Sequence, residues 1–293
     1  MNLALTVLEI VAPVFLLAGI GCTWVKLGFE YRLQFVTRLA MTLAVPCLIF
    51  VALMQTEIDR GDLGRFTLAT LAGYAFLSIV FALVVRVSRL DKSTFEAPLI
   101  FGNTGNLGVP LCLFAFGQEG LGYAIVVLAI SAVLSFTYGI YLVAGRGAFD
   151  KMIREPMVWA TILGAIFLWQ DWETPTFLTN TIELIGQMAI PLMLITLGVA
   201  VARLTPSKVV QAIGLSLLKL IICTAVGVAI GSAFALEGAA FGVLVLELAT
   251  PVAVTAYLLA EKFEADADSV AGMVVVSTLI SVASLPVLLA FLL

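Results

Sequence analysis

Apolar windows about 20 residues long follow one another along almost the whole chain, and no polar block between them is long enough to fold as a separate soluble domain. Backbone that crosses hydrocarbon must satisfy its own hydrogen bonds, so each window is read as a helix. The windows fall near residues 7–25, 36–55, 66–86, 95–116, 121–144, 156–170, 178–201, 209–233, 238–260 and 269–291. The expected fold is therefore an all-α integral membrane protein of ten transmembrane helices, a single domain over residues 1–293 held in a lipid bilayer. Composition sets aside the alternative of a soluble protein with a very large core. Hydrophobic residues make up 62% of the chain and charged ones 12%, where soluble domains carry about 25% charged residues. The first apolar window lacks a basic leader and an obvious small-x-small cleavage site, so it is expected to remain as a span.

The loops after odd-numbered windows hold Lys26, Arg32, Arg86, Arg89, Lys92, Arg146, Lys151, Arg154, Arg203, Lys208 and Lys262, and those after even-numbered windows hold only Arg60 and Arg65. The positive-inside rule makes the first set cytoplasmic. Both termini are then expected to lie outside a cell inner (plasma) membrane. The sixth window is short, but its flanking "WQDWE" places tryptophans at an interface, which fits a span better than a re-entrant segment. Cys22, Cys47, Cys112 and Cys223 fall in or beside apolar windows without metal-ligand spacing and read as small packing residues. The chain has no histidine, which removes the usual base of hydrolytic triads.

Three prolines recur at nearly one interval: Pro13 with Pro156 at 143 residues, Pro46 with Pro191 at 145, and Pro110 with Pro251 at 141. Their surroundings agree, since "LAVPCLIFVAL" is similar to "MAIPLMLITLG". Five helices per copy is an odd number, so the second copy enters the membrane from the opposite side. This predicts two inverted five-helix repeats, about residues 1–148 and 149–293, an arrangement that in secondary transporters places the substrate at the midplane between interrupted helices.

The stretch "FGNTGNLGVP", Phe101 to Pro110, marks the fourth helix as broken. Proline removes a backbone donor and frees the carbonyl a turn earlier, and glycine lets the chain leave helical geometry. Freed polar groups survive at that depth only against protein or a water-filled cavity. Its repeat mate is "LVLELATPVAV", Leu244 to Val254 in the ninth helix, where Pro251 matches Pro110 and Glu247 falls at the position of Asn106. Both breaks lie near the middle of their windows and are expected to cross. Asn103, Thr104 and Asn106, with Thr250 beside Pro251, supply uncharged donors and acceptors there, either for a substrate or for bonds to neighbouring helices.

Glu247 and Lys219 are the ionisable residues farthest from any predicted interface, and each needs a partner or a task. They pair with each other, or Glu247 binds Na⁺ or carries a proton while Lys219 balances charge or attracts an anion. Weaker ion-coupling candidates are Ser131 and Ser135, on one face of the fifth helix, and Gln187, one turn before Pro191.

The text "NTGNLGVPL" in the fourth helix, with "LELATPVAVTAYLLAEKF" and "AGMVVVSTLISVASLPVLL" in the ninth and tenth, resembles the auxin efflux carrier (AEC) family and its bacterial permeases, whose fold is akin to bile-acid symporters and sodium/proton antiporters. The likeness extends in weaker form over the whole chain. It implies helices 1, 2, 6 and 7 as a scaffold and frequent homodimer contact, with helices 3–5 and 8–10 as the moving part. It implies that Asn103 contacts substrate and that Pro110 and Pro251 are crossover prolines. Glu247 departs from the family pattern, which is neutral there; in the related bile-acid symporters an acidic residue near this crossover binds sodium. The short loop between the fifth and sixth helices suits a bacterial relative, and bacterial members are associated with small organic acids such as malonate and malate.

The expected function is secondary active transport of a small organic anion by alternating access, with Na⁺ or H⁺ as coupling ion, no structural metal or other cofactor, and no nucleic-acid partner. The competing expectation is a cation/proton antiporter with Glu247 as the ion carrier. Such antiporters usually carry acidic residues on the fifth helix too, and none is present here. An intramembrane enzyme lacks support, because no H-E-x-x-H or G-x-S-x-G motif occurs.

Overall fold

The structure, a computed structural model, describes residues 3–144, 156–204 and 208–293. The loop charges Arg146, Lys151 and Arg154, and the expected repeat boundary near residue 148, lie outside the described residues. Helices account for nearly all of the rest. In chain order they are α1 (Leu3–Lys26), α2 (Leu33–Leu39), α3 (Val45–Met54), α4 (Arg60–Val87), α5 (Lys92–Ile100), α6 (Val109–Leu134), α7 (Ile140–Ala144), α8 (Pro156–Gln170), α9 (Thr176–Gln187), α10 (Ala189–Arg203), α11 (Val209–Ala233), α12 (Gly238–Leu248), α13 (Val254–Lys262) and α14 (Ala267–Leu292).

Among the described residues, seven helical segments are long and apolar enough to cross a membrane: Leu5–Lys26, Leu33–Met54, Arg60–Val87, Thr104–Val143, Thr176–Arg203, Val209–Ala233 and Ala267–Leu292. Pro156–Gln170 and Gly238–Leu248 are apolar but shorter. Large apolar side chains such as Leu16, Phe35, Ile79, Phe177, Val210 and Phe291 stand exposed on these helices, as lipid-facing side chains do and as a soluble surface does not tolerate in such number. The chain is a multi-pass membrane protein.

Thr104–Val143 is 40 residues, about 60 Å if straight and about twice the hydrocarbon thickness. It is not straight. At Gly117 the backbone takes φ 64°, ψ −149°, a conformation L side chains rarely adopt, and the chain turns there. Several π turns soften the segment ends: Ala40–Ala44 joins α2 to α3, Thr104–Gly108 leads into α6, and Ser135–Gly139 joins α6 to α7. Aspartates start three helices. Asp59 accepts from the Gly61 and Asp62 amides, Asp91 from Thr94, and Asp266 from Ser269, each offsetting orphan N–H groups.

α1 lies along α10 at close range. A Cβ on Gly198 would overlap the Ala18 carbonyl, and one on Gly21 would overlap the Ile195 carbonyl, so small residues set this contact from both sides. α3 packs on α8 and α9, with Gly164 against Leu53 and Gly186 against Leu48. Arg60 at the start of α4 pairs with Asp171 after α8. α12 sits at the centre against α6, α11 and α14, and Val243 through Leu248 are all buried.

Candidate functional site

α5 stops at Ile100, Phe101 is extended, and Asn103 has φ −84°, ψ 57° before the Thr104–Gly108 turn. α12 stops at Leu248, and the chain runs through Thr250 and Pro251 to an extended Ala253 before α13 begins. The two breaks lie against each other. Gly102 and Val252 form an isolated antiparallel bridge, and the Asn103 N–H donates to the Pro251 carbonyl at 2.7 Å.

The backbone groups released by the breaks are nearly all accounted for. In a continuous helix the Leu99 carbonyl would receive the Asn103 N–H; here the Lys219 Nζ of α11 donates to it at 2.9 Å. Pro251 has no N–H to give the Glu247 carbonyl, and the Thr250 hydroxyl donates there at 2.6 Å. The Val252 N–H donates to the Ser277 hydroxyl of α14 at 3.0 Å, and the amides of Leu107 and Gly108 fold back on the Asn103 carbonyl at 3.2 and 3.1 Å. Each satisfied group avoids a desolvation penalty of several kcal/mol, which lets unwound backbone persist inside the bundle.

Among the described residues three buried side-chain atoms at or beside the crossing are left over, one of them the hydroxyl of Tyr74, whose ring stacks on Phe101. The Asn103 Nδ2 is buried without a partner, and so is the Glu247 Oε2. Glu247 is 0% exposed, and its Oε1 meets only the Cys112 thiol, sulfur to oxygen 3.8 Å. Gly108 makes room for it, because a Cβ there would overlap the carboxylate. An orphaned donor in the first break and an orphaned acceptor in the last turn of α12, just before the second break, each cost about 1–3 kcal/mol and more if charged. An acceptor-bearing cargo answers the first, and a proton or small cation answers the second.

Thr104 joins this centre through a hydroxyl–hydroxyl contact with Ser131 at 2.9 Å, and the Ser131 hydroxyl also lies 3.0 Å from the Leu128 carbonyl. Asn106, Thr250, Pro110 and Pro251 are buried in or beside the breaks. The other candidates fall elsewhere. Ser135 lines a small pocket with Phe101, Ala253 and Ala256. Gln187 is exposed and lines a large cavity of about 970 Å³ bounded by Leu48, Leu113, Glu119 and Pro191. Lys219 does not pair with Glu247; its ammonium lies at the C-terminal end of α5, where the helix dipole favours a cation.

Two buried groups near the crossing go beyond the sequence expectations. Glu96 of α5 is 1% exposed and receives the Tyr138 hydroxyl at 3.2 Å, with the Lys92 ammonium 4.0 Å away. Its signal was available, a carboxylate inside "STFEAPLI" at the head of an apolar window. Ser277 holds the second break in place, yet nothing in "VVVSTLISV" separates it from its neighbours.

The sequence matches a family described as "Membrane transport protein" over residues 6–152 and 148–289. A relative from Methanothermobacter thermautotrophicus, described as "Uncharacterized transporter", is 29% identical over 95% of this chain and 96% of its own. Another from Methanocaldococcus jannaschii with the same description is 24% identical over 62% of each chain. A Rhizobium meliloti protein described as "Putative malonate transporter" is 21% identical over 84% of this chain and 83% of its own. With the family matched across almost its full length, the chain belongs to the membrane transport proteins of the auxin efflux carrier family.

Proposed function

We propose that this protein is a secondary carrier that moves a small organic anion, a carboxylate, by alternating access around the crossing of residues 101–109 and 249–253. One observation carries the reading: the Asn103 amide nitrogen is buried and unpartnered at the point where the two unwound strands bond to each other. A carboxylate supplies the missing acceptor. Asn103, Thr104, Asn106, Pro110, Glu247, Thr250 and Pro251 are the cargo-facing group in this reading. Cutting Thr104–Val143 at Gly117, and joining α5 to the first part of α6 and α12 to α13, gives ten crossings. The paired prolines then support inverted repeats with both termini outside a plasma membrane, and helices at the α1–α10 and α3–α8–α9 contacts serve as a scaffold that can dimerise.

Malonate is the first cargo to test, given the description of the Rhizobium relative. In proteoliposomes, Asn103→Ala is expected to lower malonate uptake at least about tenfold, the loss of one buried hydrogen bond to a charged group, with an unchanged Tm. Wild-type uptake in the variant would remove Asn103 from the cargo site. A second reading, cation/proton antiport, is favoured by the unpartnered Oε2 of Glu247. The same vesicles loaded with a pH dye and given Na⁺ without organic acid separate the two, since antiport alone moves protons under those conditions.

A further inference from the structure

We propose that the protein holds a single monovalent anion, chloride or the carboxylate head of a small organic acid, behind the second break, on the Lys219 ammonium and the Ser216 hydroxyl. The site borders the cargo-facing group through Thr250 and Pro251, but it is carried by Lys219 and Ser216 of α11, and its inorganic-anion form does not depend on the cargo reading.

The argument begins with a charge that lacks a counter-charge. Lys219 is 2% exposed, and its ammonium meets the Leu99 carbonyl at 2.9 Å and the Cys223 sulfur at 3.9 Å. Among the described residues no carboxylate oxygen pairs with it. The α5 terminus contributes about half an opposing charge, so a buried cation remains under-compensated, which is costly in a dry interior. Among the described residues a third ammonium N–H has no acceptor.

Ser216 stands three residues before Lys219 on the same helix, one turn away on the same face. Its hydroxyl is buried without a partner among the described residues. Both residues line a cavity of about 10 Å³ bordered by Thr250 and Pro251 of the break and by Ser277 and Ser281 of α14. That is room for about one water-sized atom or ion. The hydroxyls of Ser277 and Ser281 donate to carbonyls within α14 at 3.3 and 2.6 Å, and a serine proton rotates between such a carbonyl and an anion, while the Thr250 hydroxyl stays on the Glu247 carbonyl that Pro251 leaves free. The free donors and the net charge therefore have one sign. A cation is repelled, a water answers the hydrogen bonds but not the charge, and a small anion answers both. Bound there, it ties α11 and α14 to the second break.

The test measures Tm of the full-length purified protein in detergent at constant ionic strength, in sodium isethionate, chloride, bromide or malonate. Isethionate, whose tetrahedral sulfonate head is larger than a halide or a carboxylate, is the reference salt. Chloride and bromide are expected to raise Tm saturably by about 3 °C once present at about ten times Kd. Ser216→Ala is expected to weaken the apparent affinity about tenfold, and Lys219→Met to abolish the effect. Halide stabilisation that malonate displaces assigns the site to a carboxylate head; halide stabilisation that malonate leaves untouched assigns it to an inorganic anion. Equal Tm in all four salts, or a halide effect unchanged in Ser216→Ala, overturns the site. Ser216→Ala removes one exposed-to-cavity oxygen and keeps the helix, so the result stands even where Lys219→Met fails to fold. A negative result here leaves the Asn103 uptake experiment free to succeed.

Discussion

At the scale of single residues, position within a hydrogen-bond inventory matters more than residue type. Lys219 is compatible from sequence with several roles, and what distinguishes them is one 2.9 Å contact with the carbonyl that the first break sets free. Asp266 shows the same principle in a loop outside the spanning segments. The Lys208 ammonium donates to its carboxylate at 2.7 Å, and the Ser269 hydroxyl and amide donate at 2.7 and 3.0 Å. Held mainly by Lys208, then by Ser269, its carboxyl is lowered from 3.8 to about 2. A depressed acid contributes stability above its unfolded pKa and loses it as pH falls through the folded one. The wild type is therefore expected to be more stable than Asp266→Asn by a constant margin above about pH 4, a margin that shrinks between about pH 4 and 2. Tm of both proteins across that range checks it; a margin independent of pH would show that the pairing does not contribute.

At the scale of elements, breaks and close contacts are built from small residues and prolines, for different reasons. Pro251 removes a donor within the second break, Pro110 sits in the first turn of α6 after the first break, and Gly108 yields space to the Glu247 carboxylate. Along α1 and α10, by contrast, Gly21 and Gly198 stay helical and let two backbones approach. Gly198→Leu has no space to occupy, because its first side-chain carbon already overlaps the Ala18 carbonyl. Forcing it in is expected to cost about 1–3 kcal/mol or more and to lower Tm and yield of folded protein in membranes. Wild-type Tm in that variant would mean that the two helices do not pack as described.

At the scale of the whole molecule, the cavity of about 970 Å³ stands apart by the charge of its walls. Glu57, Asp59, Glu119 and Glu183 line it, and no lysine or arginine is among its lining residues. An anion approaching by this route meets a field of its own sign, focused by low-dielectric walls. Under the carboxylate-carrier reading, the double variant Glu119→Gln, Glu183→Gln is expected to speed malonate entry from this side about threefold or more at low ionic strength. The gain should fade as salt is raised and the Debye length falls below about 10 Å. Stopped-flow or filter uptake at two salt concentrations reads this, and equal rates for both proteins at low salt would place the carboxylates off the path.

Much of this was legible along the chain. Hydropathy alone marked the stretches that form the seven helical segments long and apolar enough to span a membrane, because water and lipid sort side chains by transfer free energy whatever their neighbours. The stretch around Pro110 and its mate around Pro251 announced two breaks, because proline and glycine act on local backbone geometry. Partnerships were not legible. Asn103 with Pro251, Lys219 with Leu99 and Val252 with Ser277 join residues 148, 120 and 25 positions apart. A freed carbonyl or amide accepts whichever complementary group packing brings within about 3 Å, and no spacing rule encodes that. The sequence by itself therefore determined that this chain enters a membrane and where its helices fail. Only the tertiary structure decided what meets at those failures, because satisfaction of buried polar groups is settled between elements and not along them.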